Sequence, residues 1–368
     1  MSDFVVSARK YRPTSFDTVV GQASIANTLK NAIKSKHLSQ AYLFCGPRGV
    51  GKTTCARILA KVLNCFDLSE NFEPCGKCES CVSFNENRSF NIHELDAASN
   101  NSVDDIRARI EQVRISPQIG QYGIYIIDEF HMLSAQAFNA FLKTLEEPPK
   151  HAIFILATTE KHKIIPTILS RCQIFDFHAI SVQDAVDHLQ NIAKNEGVNA
   201  EPEALNVIAQ KADGGMRDAL SIFDQVVSFC GKDVTYEKVI QNLNVLDYDY
   251  YFKLVDDCKA QNIANVLLTF NEIMARGFDA QNFINGFAAH IRDVMVSKDA
   301  ATLPLLQVGD AIKKKYQVQA QNTSLPFLYD ALALCNECDL SYRLSKNKRL
   351  LVELTLIRLA QLTDQKKN

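Results

Sequence analysis

Two short stretches carry residue types whose spacing suits nucleotide chemistry. Gly46-Pro47-Arg48-Gly49-Val50-Gly51-Lys52-Thr53 fits G-x-x-x-x-G-K-[ST], in which glycines let a loop wrap phosphates with its N–H groups turned inward. In that pattern Lys52 reaches the β- and γ-phosphates, and the Thr53 hydroxyl faces Mg²⁺. The second stretch is Ile124-Tyr125-Ile126-Ile127, running straight into Asp128-Glu129. An apolar strand ending in two acids places Asp128 beside the Thr53-bound Mg²⁺ and leaves Glu129 to polarise an attacking water. Thr158-Thr159, after the next apolar run, offers a hydroxyl to the γ-phosphate or to that water.

A third group is made of thiols. Cys65-x9-Cys75-x2-Cys78-x2-Cys81 puts four of the eleven cysteines within 17 residues. Four soft ligands at that spacing suit a closed, structural tetrahedral Zn²⁺ site. An iron–sulfur pattern is a near relative, but no further Cys-Pro follows Cys81 at the distance it requires. The scattered cysteines, including Cys335-x2-Cys338, read as small apolar packing residues.

These groups need elements to position them. Ala41–Cys45, Asn91–Leu95, Gly123–Ile127, His151–Leu156 and Gln173–Phe177 read as strands, several of them continuous apolar runs buried on both faces. Helices are expected at Gly51–Leu63, at Ser102–Arg114 with capping-box spacing from Ser102 to Asp105, and at Ser134–Glu146 before Pro148-Pro149. Alternating strands and helices imply a parallel sheet in a three-layer α/β domain. Past residue 178 the strand signals fade. Helical patterns follow at Val182–Asn195, Pro202–Ala212 and Met216–Cys230, then throughout Tyr248–Leu362, with breaks at Pro304 and Pro326.

Composition narrows the class. At 368 residues, two or three domains are expected. With 47% hydrophobic and 22% charged residues the chain is globular, and its apolar runs are too short to span a bilayer. Asp3, Arg9, Lys10 and Arg12 crowd the N-terminus, so no signal peptide is expected and the compartment is read as cytoplasmic. Net charge is −2, but residues 1–62 hold ten basic side chains against Asp3 and Asp17, leaving 30 basic and 40 acidic over the rest. That basic segment points to a local anion site.

Together with Ser170-Arg171-Cys172 and Gly214-Gly215-Met216-Arg217-Asp218-Ala219-Leu220-Ser221, these motifs resemble the AAA+ ATPases. More narrowly, they resemble the ATPase subunits of replicative clamp loaders. Arg12-Pro13, Phe16, Val19-Val20-Gly21-Gln22 and the cysteine insert bring the likeness to the tau/gamma family of bacterial DNA polymerase III, over essentially the whole chain. The resemblance implies an AAA+ P-loop domain over 1–178 with a zinc module at about 64–84. A helical lid over 179–243 and a helical oligomerising collar over 244–368 follow.

It further implies an ATP site formed by Ala8, Arg12 and Val20 on the base and ribose side, and by Gly46, Arg48, Gly49, Val50, Gly51, Lys52, Thr53 and Thr54 on the phosphates. Thr53 and Asp128 serve Mg²⁺, with Glu129 and the sensor Thr159 at the γ-phosphate. Arg217 touches the phosphates from the lid, and Arg171 is an arginine finger acting in trans on a neighbouring subunit's nucleotide. The cysteines are implied zinc ligands. Implied partners are delta- and delta-prime-type subunits, further copies of the chain, the sliding clamp and primer–template DNA, with no membrane. DNA candidates at matching positions are Asn100, Asn101, Ser102, Arg107, Lys143, Lys163 and Thr167. Amides and a hydroxyl stand at 100–102 where basic residues can occur in relatives. The implied function is ATP-driven clamp loading. Another AAA+ DNA-processing motor is the alternative that the zinc insert and helical C-terminal third count against. A non-hydrolysing structural subunit is the alternative that Lys52, Thr53, Asp128 and Glu129 count against.

Overall fold

The continuous apolar runs become strands because they can satisfy their backbone only in a sheet covered on both faces. In the computed structural model, which describes residues 5–86, 88–99, 113–117 and 120–362, they are β1 (Ala41–Cys45), β2 (Ile92–Asp96), β3 (Gly123–Asp128), β4 (Ala152–Thr158) and β5 (Gln173–Asp176). All pair in parallel, in the order β2-β3-β4-β1-β5. β1 and β4 are buried along their whole length. Alternate side chains serve two cores: Tyr42, Phe44, Ile124 and Ile155 pack with the helix Lys52–Leu63, and Leu43, Ile127, Phe154 and Leu156 with Ala135–Glu146.

Register decides where the loops go. Cys45 is opposite Thr158, and Ile127 is opposite Leu156. The strands are parallel, so the segments following β1, β3 and β4 emerge together at one edge of the sheet, where ligands of such sheets bind. The helix Lys52–Leu63 begins at Gly51, whose φ of +104° favours a residue without a Cβ. The helix Ala135–Glu146 is capped by Ser134, whose Oγ accepts the Ala137 N–H at 3.3 Å. Most of the expected helix Ser102–Arg114 lies outside the described residues.

The chain divides into two compact units, Met1–Gly197 with Ile208–Gln225, and Val198–Val207 with Val226–Asn368. The first holds the sheet and the helix Val182–Glu196, which Ser181 starts and Gly197, at φ +66°, ends. The second holds a pair of two-residue parallel strands, β6 (Asn199–Ala200) and β7 (Asp233–Val234). Sequence reading has no strand there, because two residues leave no periodic pattern. The rest is helical, from Tyr248–Lys259 to Lys348–Ala360. Pro326 sits in the first turn of Leu325–Tyr342, where its missing N–H costs nothing. Cys335 and Cys338 are buried in this core, and burial pushes the Cys335 thiol up to about 12, as packing residues should behave. No helix among the described residues is long and apolar enough to cross a membrane.

One polar network is sealed inside the helical unit. Gln319 Nε2 donates to Phe252 O at 2.9 Å and to Asp256 Oδ1 at 3.1 Å. Its Oε1 therefore accepts from His290 Nε2 at 2.9 Å, and His290 Nδ1 accepts from the Tyr316 hydroxyl at 2.9 Å. Desolvation lowers the His290 pKa to about 4. The unfolded chain takes up a proton below about 6.5 that the folded chain refuses. Stability is therefore fully present above that value and falls as pH drops toward about 4. Urea unfolding should show about 1 kcal/mol more loss between pH 7 and 5.5 for the wild type than for His290→Gln.

Candidate nucleotide and metal sites

The loop after β1 is pinned by close backbone approach. Gly46 N–H donates to Thr158 O at 3.2 Å, and a Cβ on Gly46 would lie 2.4 Å from Phe177 O. Gly49, at φ +78°, passes Gly215 so closely that a Cβ would sit 3.2 Å from its Cα, and Arg217 N–H donates to Gly49 O at 3.4 Å. The Gly214-Gly215-Met216-Arg217 motif is thus brought against the loop. Lys52 is 6% exposed, with Nζ donating to Gly46 O at 2.8 Å and Pro47 O at 2.7 Å. Burial holds its pKa below the ordinary lysine value, opposed by Glu129 and Asp128.

Thr53 Oγ1 donates to Asp128 Oδ2 at 2.6 Å, and Asp128 Oδ1 accepts the Glu129 N–H at 3.0 Å. Glu129 sits at φ +48°, a left-handed backbone that breaks β3 abruptly and turns its side chain away from the strand direction. Phe130, fully buried against Phe138 and Phe141, anchors that turn. Thr159 Oγ1 donates to Glu129 Oε2 at 3.1 Å. Thr158, by contrast, is buried, with its Oγ1 accepting the Glu160 N–H at 3.0 Å.

Sequence reasoning missed His131. Its side chain is only 5% exposed, with Nδ1 3.0 Å from Thr158 Oγ1 and 3.5 Å from Glu129 Oε2, and Nε2 3.3 Å from Glu160 Oε1. The signal available was its position, two residues after Glu129 on an otherwise apolar turn. Arg57 was counted only as charge. It pairs with Glu94 and lies over the Phe84 ring at 4.6 Å. Arg12 Nε donates to Thr54 Oγ1 at 3.3 Å. Its pKa is lowered by desolvation of the guanidinium, although the residue as a whole is exposed, and by the cations of Arg57 and Arg217. A cation at Thr54 that neighbouring arginines disfavour suits a polyanion.

Ala8 lies in the turn of helix Ser7–Lys10, and Val20 follows the turn Phe16–Thr18; both are half-buried. Arg48 and Val50 complete the loop, the first exposed and the second buried. Arg171 is exposed, donating to Thr167 O at 2.7 Å and to Glu146 Oε1 at 3.1 Å. None of these contacts involves Lys52, Thr53, Asp128 or Glu129. Lys143 and Thr167 are exposed, and Lys163 pairs with Glu160 at 2.9 Å. Asn100, Asn101, Ser102 and Arg107 lie outside the described residues.

The thiols of Cys65, Cys75, Cys78 and Cys81 converge, their sulfurs all within 4.8 Å of one another. Cys65 Sγ is 4.0 Å from that of Cys78 and 3.7 Å from that of Cys81. A tetrahedral zinc–thiolate site, with bonds of about 2.3 Å, has edges of about 3.8 Å. Backbone N–H groups point at the sulfurs: Cys75 at Cys65 Sγ (3.4 Å), and Lys77 and Cys78 at Cys75 Sγ (3.5 and 3.2 Å). Those donors hold the Cys75 thiol down at about 6. The donor set fits zinc. Elsewhere burial pushes Cys45 up to about 11 and Cys55 and Cys172 up to about 12, leaving inert thiols.

A parallel sheet in this order, with a phosphate loop after β1, an acidic pair ending β3 and a helical lid, defines an AAA+ P-loop fold. Residues 21–181 match the family described as DNA polymerase III, delta subunit. Residues 184–232 match the DNA polymerase III clamp loader subunit, ATPase lid domain, and 234–368 match DNA polymerase III subunits gamma and tau domain III. The chain is 40% identical over 357 residues to DNA polymerase III subunit tau of Bacillus subtilis, covering 97% of this chain and 63% of that one. It is 37% identical to subunit tau of Escherichia coli, covering 96% and 55%. It is 33% identical to DNA polymerase III subunit gamma of Buchnera aphidicola subsp. Baizongia pistaciae, covering 98% of both chains. This chain belongs to the gamma/tau subunit family of DNA polymerase III. It spans between half and two thirds of the two tau relatives' length.

The loop's dependence on Gly46 gives a direct test. With φ at +145° and a Cβ position 2.4 Å from a carbonyl oxygen, Gly46→Ala should destabilise the chain by about 2–4 kcal/mol in urea unfolding. Gly309→Ala, at φ −63° with its nearest neighbour 3.7 Å away, should cost less, about 1 kcal/mol or below, from the poorer N-cap of its helix.

Proposed function

We propose that this chain is an ATPase subunit of the bacterial replicative clamp loader, acting in the cytoplasm and using ATP binding and hydrolysis to load a sliding clamp onto primed DNA. The observation that carries the reading is the Thr53–Asp128 hydrogen bond of 2.6 Å with Glu129 held next to it by Thr159 at 3.1 Å. It joins two halves of a phosphate-transfer site. The gamma and tau domain III match over 234–368 supports the loader setting. In this reading residues 1–178 are the ATPase domain, 179–243 the lid and 244–368 the oligomerising collar.

The N–H groups of the loop from Gly46 to Thr54, with Arg48, Gly49, Val50 and Gly51 among them, receive the phosphates. Lys52 exchanges the carbonyls of Gly46 and Pro47 for phosphate oxygens, which restores its lowered proton affinity. Thr53 and Asp128 would hold Mg²⁺, which when bound neutralises charge on the β- and γ-phosphates. Glu129 leaves Thr159 to accept the proton of the attacking water, freeing the Thr159 hydroxyl for the γ-phosphate. Arg217 meets the phosphates from the lid, while Ala8, Arg12 and Val20 line the base and ribose. Arg171, turned outward, serves the nucleotide of a neighbouring subunit, so turnover depends on assembly. Cys65, Cys75, Cys78 and Cys81 hold a structural zinc. Delta- and delta-prime-type subunits, further copies of this chain, the clamp and primer–template DNA are the partners. Lys143, Lys163 and Thr167, with Asn100, Asn101, Ser102 and Arg107, are the DNA candidates.

Two experiments decide the roles. Lys52→Ala should abolish ATP binding, whereas Glu129→Gln should bind ATP normally and lose about 10²–10⁴-fold in turnover. Wild-type turnover in either variant would sink the assignment. Arg171→Ala should bind nucleotide and retain the slow basal rate. Its ATPase should show no stimulation on adding partner subunits, clamp and primed DNA, and surviving stimulation would remove the finger in trans.

A further inference from the structure

The cysteine loop does more in this fold than gather sulfurs. Between Cys65 and Cys75 the chain doubles back. Phe72 N–H donates to Ser69 O at 2.9 Å, Ser69 N–H to Glu73 O at 3.0 Å, and Glu73 N–H to Ser69 Oγ at 3.0 Å. Phe72 adopts φ +59° to close this turn. The turn aims Glu73, two residues before Cys75, out of the module. Its Oε2 accepts the Phe16 N–H at 2.9 Å and its Oε1 the Asp17 N–H at 3.2 Å. Lys30 Nζ is 2.7 Å from the same Oε1, and the two side chains are only 12% and 16% exposed. A carboxylate at the first two amides of the turn Phe16–Thr18 satisfies groups that the turn itself cannot.

That turn leads to the nucleotide site. Phe16 is 1% exposed within the core shared with the helix Lys52–Leu63. Val19 Cγ1 lies 3.8 Å from the Cβ position of Gly51, the residue that starts that helix. Val20, on the proposed base side of the nucleotide, comes next. Glu73 therefore joins the cysteine module to the segment that packs on the phosphate loop.

We infer that Glu73 is a positioning residue for nucleotide binding, through which the metal-held cysteine loop fixes the Phe16–Val20 segment over the phosphate loop. The module then sets ATP affinity as well as stability. This rests on the reading that ATP binds at Lys52, and the test separates the two.

The measurement is the Kd of the whole chain for a fluorescent ATP analogue with Mg²⁺, alongside metal content and amide hydrogen exchange. Glu73→Ala should keep its zinc, raise Kd about 5- to 20-fold, and speed exchange at Phe16 and Asp17. The milder Glu73→Gln, which keeps one acceptor and loses the charge facing Lys30, should fall between. Stripping zinc with a chelator should raise the wild-type Kd by a similar factor and add little in Glu73→Ala. A wild-type Kd in Glu73→Ala, or chelation weakening both proteins equally, would overturn the inference. Loss of binding in Lys52→Ala beside unchanged binding in Glu73→Ala refutes Glu73 alone. Unchanged binding in Lys52→Ala refutes the phosphate-loop reading beneath it.

Discussion

The site depends on one hydrogen bond across the sheet, from the Thr53 hydroxyl to the Asp128 carboxylate at 2.6 Å. These residues are far apart in sequence and sit after β1 and at the end of β3. β4 lies between those strands, so the contact exists only if all three are in register. The parallel pairing of Cys45 with Thr158 and Ile127 with Leu156 fixes that register. A slip by one residue would exchange the two faces of the sheet and unpack both cores. The buried apolar strands and the polar contact at their ends thus specify each other.

Charge is arranged by the same geometry. Three of the ten basic residues in the first 62 are matched by acids: Lys10 by Glu196, Lys30 by Asp17 and Glu73, and Arg57 by Glu94. Lys52 is different, satisfied by backbone carbonyls and depressed by burial. Arg12 is depressed by its own desolvation and by neighbouring arginines. A net −2 therefore conceals a small region where cations are placed at a cost that a bound polyphosphate would offset. Part of the broader basic segment is internal pairing.

Local order is also shared out unevenly around the phosphate loop. Gly46, Gly49 and Gly51 adopt backbone angles that favour glycine, and each has another segment within contact of its Cβ position. Glu129 takes a left-handed angle with a side chain attached, a strain that the buried Phe130 beside it holds in place. The result is a carboxylate at the sheet edge within reach of Thr159 and His131. The cysteine loop adds a distant brace through Glu73.

Much of this was legible in the amino-acid sequence. Apolar runs of strand length, glycines at loop spacing, an acidic pair closing a strand and four clustered thiols are local patterns, and local patterns survive without knowledge of the fold. The five parallel strands and the convergence of the cysteines follow from them. What only the tertiary structure decided are pairings between segments distant in sequence. Thr159, rather than Thr158, turns toward Glu129 because the fully buried Thr158 is occupied by the Glu160 amide and by His131. Glu73 looked like one acid among 42 until the turn at Phe72 aimed it at the Phe16 and Asp17 amides. β6 and β7 left no periodicity to read. Spacing encodes which groups can act, whereas burial, register and backbone handedness choose the partner each one meets, because those depend on every element packed around it.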